Sequence, residues 1–148
     1  MASLAACQSS TSSAVQLERS PAGLEQVPLT ITSGERKHGF TVEIARSVEE
    51  QATGLMNRAS LAPDRGMIFP FEAPREASFW MKNTLIPLDM IFVRADGTIA
   101  NIEANTVPLS LQPVYSNGPV AAVLEIAGGR SAELGIDAGD KVEWSALE

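Results

Sequence analysis

Apolar residues recur at every second position in several short runs, the period of a strand with one buried face. Val27 to Thr32 alternates in this way and reads as an edge-like strand. Gly39 to Ala45 alternates again, with Phe40, Val42 and Ile44 on one face. Ser33-Gly34-Glu35 between them suits a turn, so the two runs predict a hairpin. Met67 to Phe71 puts Met67, Phe69 and Phe71 on one face. Pro70 lacks the N–H that a ladder needs, and predicts an edge position or an irregularity there. Further strands are expected at Ala77 to Met81, Leu88 to Val93, Ile99 to Thr106, Val120 to Ile126 and Lys141 to Trp144. Ala95-Asp96-Gly97-Thr98 joins two of them, Asp-Gly tolerating the positive φ of a tight hairpin.

Helical signals are fewer. Ser47 followed by Glu50 is a capping-box pattern, and Val48, Ala52, Leu55 and Met56 fall near helical spacing. The expectation is one short helix near residues 47–58, closed by Arg58, whose charge suits a helix C-terminus. Gly135 closes a short helical turn near 130–135. Many short strands and one helix predict a mainly β chain: a single compact β-sandwich or jelly-roll-like domain over residues 27–148. Residues 1–26 lack apolar periodicity, are broken by Pro21 and Gly23, and read as a flexible tether.

The stretch from Phe79 to Met90 departs from this regularity. It sets Trp80, Lys82, Asn83 and Asp89 between two apolar runs, with Asn83-Thr84 in turn position. Asp89 shares a strand face with Ile91 and Val93, and an acid there is costly unless it finds a partner. Its structural reading is an acceptor of backbone N–H groups from the Lys82–Pro87 turn, with Lys82 as a candidate ion-pair partner. Glu125 stands equally alone among Val123, Leu124 and Ile126. Arg58, Trp80, Lys82, Asn83, Asp89 and Glu125 are therefore the candidate ligand-binding residues. If they converge, they form an apolar pocket with a few oriented polar groups. Otherwise they form a buried ion-pair network that fixes the fold.

Composition narrows the function classes. The formal net charge is −7 with no basic cluster, which argues against nucleic acid. The single histidine, His38, has no evident partners, and no Gly-x-Ser-x-Gly elbow is present, so a Ser-His-Asp hydrolase is not expected. No clustered His or Cys signals zinc, and the methionines Met56, Met67, Met81 and Met90 read as core rather than as a soft-metal site. No metal and no cofactor are expected. The one cysteine, Cys7, follows Leu4-Ala5-Ala6, which resembles the lipobox of bacterial lipoproteins, and a Ser-rich stretch follows it. Only Met1 to Ala6 precede it, too few for a signal peptide with a charged start and an apolar run. The expectation is a periplasmic domain, lipid-attached through Cys7, with an incomplete signal segment in this chain and no other membrane contact.

Gly54-Leu55-Met56-x-Arg58, Gly66-Met67-Ile68-Phe69, the run from Phe79 through Pro87-Leu88-Asp89, Val123-Leu124-Glu125 and Gly139-Asp140 occur in one order. Together they resemble the domain-of-unknown-function 192 family over about residues 28–146. The resemblance implies a mostly β, jelly-roll-like domain with a short helix, often exported in bacteria, and brings no established activity or catalytic residue. The functional expectation is a small-ligand or cell-envelope binding module. The alternatives are a cell-envelope hydrolase using Asp89 and Glu125 as acid/base carboxylates, and an interaction domain with no pocket, marked by an exposed aromatic patch.

Overall fold

The computed structural model describes residues 17–145. Seven strands form one sheet: β1 (Gln26–Ser33), β2 (Arg36–Ile44), β3 (Arg65–Arg75), β5 (Leu88–Val93), β6 (Ile99–Glu103), β8 (Val120–Ala127) and β9 (Lys141–Trp144). Their order is β6-β5-β8-β3-β2-β1-β9. Two short strands, β4 (Ser78–Phe79) and β7 (Val114–Tyr115), make a separate ribbon. The helices are α1 (Val48–Thr53) and α2 (Arg130–Leu134). The domain is mostly β and sandwich-like, built on a curled sheet that forms a half-barrel. The outer strands meet at one end, where Thr98 bridges Lys141 and Val142 N–H donates to the Gly97 carbonyl at 2.8 Å.

The curl gives the sheet two unlike faces. Phe40, Val42, Ile44, Ile68, Ile91, Leu124 and Ile126 fill the concave side, joined by Ile99 and Val142 from the two edges. Leu55, Met67, Phe69, Ala77, Met81, Leu88, Met90, Phe92 and Val123 form a second cluster on the convex side. β5 is buried along its whole length because both faces are covered. Its near-continuous apolar sequence follows from that position.

The β1–β2 hairpin and the turn at Gly97 (φ 88°) form as expected. Strand positions differ. β1 lies between β2 and β9 and is not an edge, and β3 sits centrally, parallel to β2 and antiparallel to β8. Pro70 is tolerated there because the β3–β8 register breaks between Pro70 and Arg75. Ser47 accepts Glu50 N–H at 3.0 Å and donates its own N–H to Glu50 Oε1 at 2.9 Å, closing the capping box. The helix then stops at Thr53 rather than near Arg58, because Gly54 leaves helical geometry at φ 47°. Val48, expected on an apolar face, is 87% exposed. Ahead of β1, Ser20 is buried and Leu24 packs on the convex cluster, so ordered packing begins before Val27.

Candidate functional site

Strand register places one transverse row of side chains on the convex face: Glu43, Met67, Glu125, Met90 and Glu103. Neighbouring strands lie about 4.8 Å apart, so the backbones of Glu43 and Glu125 stand about 10 Å from each other across Met67. The two acids meet different fates. Glu43 takes a forked contact from the Arg58 guanidinium, at 2.5 and 3.2 Å. Glu125 is 5% exposed and has no hydrogen bond or ion pair among the described residues. Burial without a compensating partner pushes its carboxyl up to about 8, so it is mostly protonated at neutral pH.

Glu125 lines a hollow of about 240 Å³ on this face. Leu55, Met56, Phe69, Phe79 and Trp80 supply its apolar lining, and Gln51, Thr53, Arg75, Ser78 and Thr84 are its other polar residues. Phe69 and Phe79 meet edge-to-face, with centroids 5.0 Å apart. Local chain chemistry holds the walls. Gln51 Nε2 donates to the carbonyls of Ala45 and Pro70, fastening α1 across β3. A Cβ at Gly54 would stand 3.3 Å from the Phe69 ring, so a glycine here lets the α1 turn close over that ring. Asn57 (φ 63°) donates its N–H to the carbonyl of Asn83 (φ 55°) at 2.8 Å, tying the loop after α1 to the Trp80 segment. Met81 N–H donates to Ser110 and Leu109 N–H to Thr84, which pins that segment from the other side.

The predicted site residues do not all converge. Trp80, 49% exposed, and Glu125 do share the hollow. Asp89 does not. It pairs with Ile126 where Met90 pairs with Glu125, so the two acids lie on opposite faces of the sheet. They cannot flank one cleft, which corrects the acid/base pair expected of a hydrolase. Asp89 is 0% exposed and accepts N–H groups from Asn105 and Gly129 at 2.9 Å and from Ser131 at 2.8 Å. The structural reading of Asp89 holds, but its donors come from the loop after β6 and the start of α2, not from the Lys82–Pro87 turn. Gly128 makes that convergence possible, since a Cβ there would lie 2.9 Å from Pro87 and the Asn105 side chain.

Lys82 is not the partner of Asp89. Its ammonium stands 5.2 Å from the centroid of the Trp80 ring. Asn83 is a turn residue whose carbonyl, rather than its amide, is engaged. Arg58 lies beyond the end of α1 and serves Glu43 instead of the helix terminus. With Glu43 and Arg65 it lines a wider groove of about 600 Å³, where polar side chains pair among themselves, Arg65 with Gln26 at 3.0 Å. Met67, Met81 and Met90 are core, while Met56 reaches the hollow. Phe79 and Trp80 line a concavity rather than a flat patch. Cys7 lies outside the described residues. Glu43 was not among the sequence candidates; the signal was there, an acid between Val42 and Ile44 in a buried strand.

The sequence matches the DUF192 family, described as Uncharacterized ACR, over residues 29–144. The chain belongs to the DUF192 family. The DUF192 match takes in every strand of the sheet, apart from the first three residues of β1. A crystal structure of a protein of unknown function from Novosphingobium aromaticivorans is similar at TM-score 0.85 and 46% identity, covering 95% of this chain and 100% of that one. A second, described provisionally as a transcription regulator from Sinorhizobium meliloti, is similar at TM-score 0.81 and 41% identity, covering 84% of this chain and 97% of that one. No curated protein matches the chain.

Proposed function

We propose that this DUF192 domain is a small-ligand binding module whose ligand enters the hollow beneath Trp80, and that Cys7 tethers it to a bacterial envelope membrane. The observation that carries the first half is Glu125: a buried carboxyl with no partner, facing a hollow lined by aromatic residues. A fold that wraps Asp89 in three N–H donors and gives Glu43 an arginine leaves Glu125 unsatisfied. A carboxyl on a buried strand that has no protein partner and lines a hollow is open to a bound polar atom. The half-exposed Trp80 ring offers a flat surface at the rim. The wider groove beside Arg58 is a weaker candidate because its polar side chains already satisfy one another. The net charge of −7 supports this reading over the nucleic-acid contact that a transcription regulator would make.

Titration of the full chain with benzyl alcohol, a neutral stacking probe, tests the hollow. The Trp80 indole N–H resonance should shift, while that of Trp144, which packs against the concave-side cluster, should not. Equal shifts at both indoles, or none at either, would count against the site. The tether rests on Leu4-Ala5-Ala6-Cys7 and the Ser-rich stretch after it. Mass spectrometry of the native protein should find a diacylglyceryl adduct on Cys7, and a free thiol there would remove the tether.

A further inference from the structure

Resting on that reading, we infer that the ligand is a small carboxylate anion with an apolar body, its carboxylate taken by hydrogen-bond donors at the hollow and its body by the Phe79 and Trp80 rings. A count of unspent polar groups leads there. Gln51 Nε2 is used on Ala45 and Pro70, and the Thr84 hydroxyl on the Lys82 carbonyl, while the Thr53 and Ser78 hydroxyls make no hydrogen bond among the described residues and can donate as well as accept. The Arg75 guanidinium lines the hollow, stacks 4.0 Å above the Phe71 ring and makes no hydrogen bond or ion pair among the described residues. Lys82 brings a second cation to the Trp80 ring. Glu125, mostly protonated at neutral pH, offers an O–H. Arg75 and the Glu125 O–H are donors on the lining itself, and Arg75 is a cation, so the complementary ligand brings acceptors and negative charge.

The other charges near Glu125 do not reverse this balance. Glu43, beyond Met67, is neutralised by Arg58. Glu103, beyond Met90, ends the row on the edge strand and is exposed. α1 lines the hollow with Gln51, Ala52 and Thr53, none of them charged. The acidic surface farther off is screened by salt over about 8–10 Å. The hollow has room for about eight waters at ~30 Å³ each, which suits a ligand of similar heavy-atom count. An ammonium ligand would face the Arg75 cation on the lining and would have to displace the Glu125 proton. A carboxylate keeps that proton in place.

The test compares benzoate, benzyl alcohol and benzylammonium on the full chain, read at the Trp80 indole. Benzoate is expected to bind at least about tenfold more tightly than the other two at pH 7, one charge-assisted hydrogen bond being worth about that factor. Its affinity should fall about tenfold for each pH unit above 8, as the Glu125 proton is lost. Glu125→Gln keeps an N–H donor, so it should keep benzoate binding and lose that pH dependence. Arg75→Gln, at an exposed position, should weaken benzoate several-fold and benzyl alcohol much less, which keeps the test alive should Glu125→Gln fail to fold. Equal binding of benzyl alcohol or tighter binding of benzylammonium overturns the carboxylate inference and leaves the ligand hollow standing. A pH slope that persists in Glu125→Gln also overturns it. No Trp80 shift with any probe overturns both.

Discussion

Asp89 and Glu125 stand one register step apart on neighbouring strands, both buried, and the fold treats them oppositely. Asp89 faces the concave side, where N–H groups from the loop after β6 and from the start of α2 converge on it. Glu125 faces the convex side, where the same sheet gives it Met67 and Met90 as cross-strand neighbours and a hollow above. The difference separates an acid that builds the fold from one that the fold leaves available. The sequence context of the two is almost the same, a lone acid among branched apolar residues. Only the chain brought against each face tells them apart.

The comparison breaks most visibly at Asp89. Asp89→Ala orphans one buried and two part-buried N–H groups at about 1–3 kcal/mol each, so a loss of about 4 kcal/mol is expected in urea unfolding. A loss under about 1 kcal/mol would mean that water serves those donors equally well. Arg58→Ala leaves Glu43 buried and unpaired. Fully buried pairs cost about 3–5 kcal/mol to break, and the partial exposure of Arg58 reduces the expected loss to about 2 kcal/mol.

Glu125 should behave differently, and the sign of its pH dependence says how. Its carboxyl keeps its proton in the folded state up to about 8, whereas the usual value is 4.5. Between those values the folded protein binds the extra proton, so the contribution is full below 4.5 and is lost as pH rises toward about 8. The slope is at most about 1.4 kcal/mol per pH unit. Glu125→Gln should remove it, and a pH series of unfolding curves that keeps the slope in the variant would assign it to another group. The smallest effect is at Trp80. Trp80→Ala touches a half-exposed ring and should change stability by less than about 0.5 kcal/mol while abolishing the benzyl alcohol shift at the hollow, followed at the Met56 methyl.

Local chemistry in the sequence was readable where the structure depends on neighbours in the chain. The Ser47–Glu50 capping box, the Asp96-Gly97 turn and the β1–β2 hairpin each rest on contacts within a few residues. The candidate site was half legible. Trp80 and Glu125 stood out as polar or aromatic residues out of place in apolar runs, and they do meet. What failed depends on long-range register. The parallel β2–β3 pairing sets Glu43 and Glu125 on one face, and no feature of the β2 sequence announces that partner. Asp89 and Glu125 looked like a pair because nothing local shows that the β5–β8 register turns them to opposite faces. Arg58 looks like a helix end because Ala52, Leu55 and Met56 keep helical spacing across Gly54, where the helix in fact stops.

The most direct test of the central claim is the titration of Glu125 itself, followed through its side-chain carboxyl carbon by NMR in the ligand-free chain. A midpoint near 8 is predicted, the value set by burial without a partner. A midpoint near the usual 4.5 would contradict it, because it would mean that Glu125 is solvated or paired and that the hollow lacks the unspent group on which its function was argued.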